Sequence, residues 1–426
     1  MKMVVRLGII LLVFCLILTQ SSVSLSTQST DNANSLPIPS NLDPLLSQIN
    51  ESLMKKYLVP LVEFGPRVTG TEGCARAATF IYEKFERFGL ETRFQPWTSF
   101  GNRYNPRFFN CKNVIGILPG LHTEKSIIFG AHYDSVAVSP GANDDGSGVA
   151  GVLAAADILS KYQFNHTIIF IAFSGEEEGL LGSWAYATQA FEQNDQILLD
   201  INADMIGYAV TGEGGRKMGF SITEDADWAV DIIETVSDRN GLGFSFNRYP
   251  IDRQGRGWSD YFPFVAYGHE AVACWEGDHD PNMHTPNDTI DIINYSYLVN
   301  TTRIITGTLA EIANYSPIPP QIRITSPERK HLYVHGMKKG THDQLHAIII
   351  NDIWIWADDP FGSIQPSYVE FSYDDHIAYI DTSPPFKWKL DTRSFGKHEI
   401  TVKSYNYLGQ HSTDMLEIIY INPAIQ

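Results

Sequence analysis

The chain has 426 residues, more than one compact core usually holds, so a large domain followed by a smaller one is expected. Hydrophobic residues make up 43% and charged residues 19%, a globular composition that excludes wholesale disorder. The formal net charge of -18 repels phosphate backbones and anionic headgroups and excludes nucleic acid as a partner. Carboxylates gathered around divalent cations would account for part of that charge.

Lys2 and Arg6, the apolar run Leu7 to Leu18, and small residues around Ser22 and Ser24 form an export-signal pattern over residues 1–24. The run is shorter than the roughly 20 residues that span a bilayer, so a secreted or extracytoplasmic protein without lasting membrane insertion is expected. Residues 25–41, rich in Ser, Thr, Asn and Pro, form a solvated linker. Beyond Cys15 in the signal, three cysteines remain, an odd number; Cys74 with Cys111 is the candidate pair, and Cys274 sits in an apolar run as a buried free thiol.

A helix is expected over Ala77 to Phe88, closed by Gly89, followed by a strand at Glu91–Gln95. Short apolar runs then alternate with helical stretches, with strands at Asn113–Leu118, Ser126–Ala131, Thr167–Phe173, Ile197–Ala203 and Glu270–Trp275. A helix with Ser147 as N-cap carries the stripe Val149, Val152, Leu153, Ala156 and Leu159. Residues 42–316 therefore read as a doubly wound, mainly parallel α/β sheet. After Pro317, Pro319 and Pro320 the pattern turns all-β: Gln321–Thr325, Ala347–Ile350, Tyr368–Tyr373, Phe386–Leu390, His398–Ser404 and Leu416–Ile421 suggest a smaller all-β sandwich domain over 321–426. The run from Asp381 to Asn406 resembles the immunoglobulin-like accessory domains of extracellular enzymes, which implies attachment to surfaces or other proteins.

In an open parallel sheet, ligands bind beyond the carboxyl ends of the strands. His132 and Asp134 follow one such end, Glu176 and Glu177 a second, Asp204 a third, and His284 lies in the loop after a fourth. Two histidines and three carboxylates suit zinc, which takes imidazole nitrogen and carboxylate oxygen and keeps a position open for water. If Asp144 bridges, His132 and Asp204 complete one ion while Glu177 and His284 complete the other. Glu176, beside a ligand yet spare, is then free to take a proton from an activated water. Asp134 is placed to accept the second ring N–H of His132.

The segments Gly130–Ser135, Gly141–Gly148, Ser174–Ser183, Asn202–Gly207 and His284–Thr289 resemble the five metal-binding motifs of metallopeptidase family 28, the bacterial leucyl aminopeptidase type, in order and approximate spacing. Arg67–Gly73 is similar to that family's entry to the fold. The resemblance implies a zinc exopeptidase fold and two zinc ions held by His132, Asp144, Glu177, Asp204 and His284. It also implies Asp144 as the bridge, Glu176 as the general base, a cis peptide at Asp144–Asp145, and peptides as substrates. Where some relatives carry a tyrosine for the tetrahedral intermediate this chain has Gly255-Arg256-Gly257-Trp258, with Arg256 a candidate donor.

Three rival readings remain. Glutaminyl cyclase shares the fold and uses one zinc. A carboxypeptidase needs a cationic pocket, which Arg248, Arg253 and Arg256 could supply, whereas an aminopeptidase needs an acidic rim such as Glu276 or Asp278. A binding module that had lost its metals would show broken ligand positions, and none of the five is broken.

Overall fold

The computed structural model describes residues 36–37, 41–100, 106–223, 226–251, 259–314, 320, 322–342, 344, 346–358, 366, 368–406 and 411–423. The export signal, most of the linker, Arg253, Arg256, Trp258 and the junction at Pro317 and Pro319 lie outside them.

Helices α1 (Glu51–Glu63) and α2 (Glu72–Arg87) lead into an eight-stranded sheet. Its strands are β1 (Glu91–Phe100), β2 (Phe108–Leu118), β3 (His122–His132), β4 (His166–Phe173), β5 (Ile197–Ala203), β6 (Lys217–Ile222), β7 (Ser245–Pro250) and β8 (Ala271–Glu276). Between them run α3 (Gly146–Leu159), α4 (Leu181–Gln193), α5 (Asp227–Arg239) and α6 (Tyr261–Ala266), and α7 (Tyr295–Asn314) follows. The strand order is β1-β2-β4-β3-β5-β8-β6-β7. The central strands β4, β3, β5 and β8 are parallel, while β2 and β6 join them antiparallel, so the sheet is mixed toward its edges.

Side-chain alternation decides the layers. Ile127, Phe129 and Ala131 of β3, with Ile168, Phe170 and Ala172 of β4, face the helices α1, α2, α3, α5 and α7 in one buried cluster. The intervening Ile128, Ile171 and Phe173 face α4 and Phe264 of α6 on the other side. Helices on both faces make the sheet doubly wound. The chain leaves β3 for β4 on one side and then crosses to β5 on the other, which opens a crevice at the carboxyl end of β3.

Several local expectations shift. Helix α2 starts at Glu72, and Gly89 at φ +79° closes it, with the Leu90 N–H reaching the Phe85 carbonyl at 3.2 Å. Ser147 is not the N-cap of α3. Asp145 is, accepting the Gly148 N–H at 3.0 Å, while the Ser147 hydroxyl sits inside the helix and donates to the Asn143 carbonyl at 2.8 Å. Strands β6 and β7 and helices α1, α4, α5, α6 and α7 had no named counterpart in the sequence. Gly219 interrupts the short β6, and a Cβ there would lie 2.0 Å from the Trp275 ring nitrogen.

Arg67 braces the loop between β3 and Asp144. It is fully buried and donates to the carbonyls of Tyr133 (2.6 Å), Pro140 (2.6 Å) and Gly141 (2.8 Å), and its own N–H reaches the Ser135 hydroxyl at 2.9 Å. Only a guanidinium supplies so many donors in one plane.

Residues 323–422 form two further sheets. One has three strands in the order Arg323–Ser326, Ile353–Asp358, Lys387–Leu390. The other has seven, built around Ser394–Tyr405 and His411–Asn422. Ile353, Ile355 and Leu390 from the first meet Phe371, Val402 and Ile418 from the second in a buried cluster between the sheets. Ala347–Ile350 runs parallel to both of its neighbours, so the larger sheet is mixed. His331–Val334, Met337–Thr341, Ile353–Asp358 and His376–Asp381 are strands additional to those expected.

Two outcomes follow from this packing. Arg67→Met leaves the Tyr133 and Pro140 carbonyls without their arginine donor, while that of Gly141 keeps the Gly146 N–H; at about 1–3 kcal/mol per lost donor, chemical denaturation should find the variant about 2 kcal/mol or more less stable. The clusters on either side of residue 320 share no residue, so a chain ending after Ser316 should unfold cooperatively on heating, followed by circular dichroism. Aggregation of the short form would show that the tail covers apolar surface.

Candidate metal centre

The crevice at the end of β3 gathers the polar side chains singled out from the sequence. His132 terminates β3 and is 1% exposed. Its Nε2 lies 3.3 Å from Asp144 Oδ1, 3.7 Å from Asp204 Oδ1 and 4.0 Å from Glu176 Oε2. His284, in the loop after β8, places Nε2 3.0 Å from Asp144 Oδ2 and 3.0 Å from Glu177 Oε2. The two imidazoles thus approach the two oxygens of a single carboxylate, that of Asp144. His284 and Met205, which follows Asp204, both hold left-handed backbone, φ 60° and φ 58°, at a cost of order 1–3 kcal/mol each.

Asp145 also falls within metal-holding distance of His132 and Asp204. Its carboxylate is already engaged, with Oδ1 accepting the N–H groups of Gly148 and Met205 and Oδ2 that of His132. Asp144, whose oxygens face the imidazoles, is the freer donor. The peptide between Asp144 and Asp145 is cis. Asp288 holds the loop from the other side, accepting the N–H groups of Asn143 (2.7 Å) and Asp144 (3.2 Å) and the Ser139 hydroxyl (3.4 Å).

Asp134 does something other than expected. The His132 Nδ1 lies 3.2 Å from the Asp134 main-chain carbonyl and 3.8 Å from its carboxylate, so the carbonyl fixes the ring. The buried Asp134 carboxylate accepts the Thr69 hydroxyl at 2.8 Å and the N–H groups of Glu176 and Glu177 at 3.3 Å each. It therefore ties the ends of β3 and β4 together and orients both glutamates. Gly175, at φ +78°, permits that turn, since a Cβ would lie 2.8 Å from the Trp97 ring.

Negative charge exceeds what nearby protein cations offset. Burial pushes the Glu176 carboxyl well above the usual range, with Asp204, Asp260 and Glu177 adding to the shift. Burial likewise raises Glu177 and lifts Asp260 to about 7. Burial disfavours charge on His132, yet Glu176, Asp144 and Asp204 hold its imidazole well above its ordinary value. Contacts with Asp144 and Glu177 push His284 up to about 10. Each imidazole is drawn to carry a positive charge, which is the response of a site built for a cation. Glu177 Oε1 is buried without a hydrogen-bond partner, and donors held at about 2 Å from a tetrahedral ion stand about 3.3 Å apart. The separations of 3.0, 3.0, 3.3 and 3.7 Å fit.

A cleft of about 860 Å³ opens onto these residues. Tyr249, Tyr261, Trp275 and Met283 line it, with Tyr249 and Trp275 stacked at 5.7 Å, and no described lining residue is Lys or Arg. Arg248 is bound by Asp227, Asp231 and Glu234 at 2.6, 2.9 and 2.8 Å. Of the acidic rim candidates, Asp278 is taken up by the N–H groups of Val210 and Thr211 and the Thr211 hydroxyl. Glu276 accepts the Asn143 amide and the Tyr208 N–H. The bracing roles of Arg67, Thr69, Asn143, Asp145 and Asp288 were missed from sequence, although all five lie inside the recognised segments.

Residues 113–309 match the family described as Peptidase family M28. Leucine aminopeptidase 1 of Coccidioides posadasii is 27% identical over 290 residues, covering 64% of this chain and 74% of that protein. Among solved structures, an aminopeptidase from Aneurinibacillus sp. strain AM-1 aligns with TM-score 0.56 at 18% identity, over 65% of this chain and 97% of that one. A glutaminyl cyclase from Bacteroides thetaiotaomicron aligns with TM-score 0.52 at 20% identity, over 62% and 98%. At such identities the structural likeness establishes the shared fold and does not separate the two activities. The family match spans the ends of β3, β4, β5 and β8 and every candidate ligand, so the part of the chain that is similar to Peptidase family M28 is the part that builds the crevice.

Proposed function

We propose that the chain is a zinc aminopeptidase that releases N-terminal residues from peptides. The observation that carries the reading is the arrangement of two three-residue donor sets about one carboxylate: His132, Asp144 and Asp204 on one side, Asp144, Glu177 and His284 on the other. Two Zn²⁺ ions would occupy them, and when bound they supply Lewis acidity toward the scissile carbonyl and acidify a water. Glu176, whose main-chain N–H is held by Asp134 and whose carboxylate is not part of either donor set, takes the proton from the attacking water and returns it to the leaving amine. Asp134 acts through the backbone of Glu176 and Glu177.

The absence of Lys and Arg among the described cleft-lining residues disfavours recognition of a free carboxylate, and the engagement of Arg248 removes one candidate for it. Glu276 and Asp280, both lining the cleft, suit a substrate's free amine. Two complete donor sets favour the peptidase over a one-zinc cyclase. Secretion rests on the Lys2 to Ser24 pattern, and among the described residues no helix is long and apolar enough to cross a membrane. Attachment through the C-terminal sheets is supported by the edge strand His376–Asp381, which exposes Ile377, Tyr379 and Ile380.

Glu176→Gln should lower kcat by about 10²–10⁴-fold while metal analysis still finds two zinc ions per chain. His284→Ala should lose one of the two, and Asp144→Ala both. A Glu176→Gln enzyme with normal turnover would sink the base assignment, and a wild-type chain that binds one ion at saturating zinc would sink the dinuclear reading. On substrates, free aminoacyl amides should be hydrolysed and N-acetylated ones left intact. Conversion of N-terminal glutamine peptides to pyroglutamyl peptides would favour the cyclase instead.

A further inference from the structure

Cys74 and Cys111 take no part in the chemistry above, yet the fold brings them together. Cys74 lies in the first turn of α2, buried, and Cys111 lies on β2, partly exposed, with their sulfurs 3.5 Å apart. A disulfide requires about 2.05 Å between sulfurs, a closure within reach of small side-chain rotations. The environment is asymmetric. The Cys74 contact, the Ser174 side chain and the main chain at Gly70 and Lys112 favour the Cys111 thiolate against the cost of burial and bring its thiol down to about 6, whereas the contact with Cys111 and burial push the Cys74 thiol up. A partly exposed thiol favoured toward ionisation beside a buried one is the arrangement of an attacking and a resolving cysteine. Cys274 is fully buried elsewhere in the core, and burial raises its thiol.

We propose that Cys74 and Cys111 form a dithiol site that a low-molecular-weight disulfide converts into an intrachain disulfide, Cys111 attacking first and Cys74 resolving. The Cys111 thiolate attacks one sulfur of the small disulfide and expels one thiolate, leaving a mixed disulfide on Cys111. Cys74 gives up its proton, attacks the Cys111 sulfur and expels the second small thiolate. Two protein thiols are oxidised and one small disulfide is reduced to two thiols. The new bond pins the start of α2 to β2. That anchors the segment just upstream, which carries Arg67 and Thr69 to the metal centre, and the inference does not depend on the activity proposed for that centre.

The test uses the full chain, reduced, desalted and incubated with glutathione disulfide, then acid-quenched, denatured and alkylated for peptide mapping. The expected product links the Cys74 and Cys111 peptides and leaves Cys274 alkylated. It should melt roughly 5 °C above the reduced form. Cys74→Ser should trap a lasting glutathione adduct on Cys111, and Cys111→Ser should leave Cys74 unreacted. A persistent adduct on wild-type Cys111, recovery of both cysteines alkylated, or a link to Cys274 would overturn the proposal; since these are read on the wild-type chain, poor folding of a variant leaves the test intact.

Discussion

The constraint on which the rest depends is the crowding of Asp144, Glu176, Glu177 and Asp204 around two imidazoles at the mouth of β3, with no lysine or arginine among the described residues of the cleft. Carboxylates at these separations repel one another, and burial strengthens the repulsion because less water screens it. The only folds that tolerate such a cluster supply cations or hold the groups by force. This chain holds them by backbone donors: Asp134, Asp145 and Asp288 each accept at least two N–H groups. These three acids are consumed as structural acceptors, so the carboxylates of Asp144 and Glu177 stay turned toward His284.

Arg67 belongs to the same economy of charge. Among the described residues it is the one buried arginine or lysine, and the field of Asp288, Asp134, Asp144 and Asp145 partly offsets the burial that pulls its ionisation down. Its hydrogen bonds nonetheless go to carbonyls, three of them on the 133–141 loop. A salt bridge to Asp144 would neutralise a donor that the imidazoles need. By spending its guanidinium on the main chain, Arg67 shapes the loop while leaving the crevice short of positive charge, and that deficit is what favours a bound dication.

Much of this was legible in the sequence because strand ends are. Apolar runs such as Ile168–Phe173 place their termini within a residue or two; His132 and Asp204 stand at such ends, and Glu177 lies in the turn that follows one. Asp144 and His284 were legible only through motif, since loop residues carry no periodicity. What stayed hidden has a common physical cause. Asp145 as acceptor of the His132 N–H, Asp134 as acceptor of the Glu176 and Glu177 N–H groups, and Asn143 as donor to Glu276 depend on contacts between segments 13 to 133 residues apart, which no local pattern encodes. Strand β6 was hidden for a related reason: its six residues include a glycine that makes sense only against Trp275 on the neighbouring strand.

The misplacement of Ser147 shows how local and tertiary demands compete at the site. Ser147 is a good cap by propensity, and Asp145 two residues earlier is as good. The tie is broken by what each must also reach. Asp145 faces the N–H groups of His132 and Met205, at the ends of β3 and β5, and as cap it fastens three elements with one carboxylate. Ser147, within the first turn, donates to the Asn143 carbonyl and accepts the Ile206 N–H. The helix therefore begins where the candidate metal centre needs a knot, and its first turn is fixed to the ends of the strands that carry His132 and Asp204.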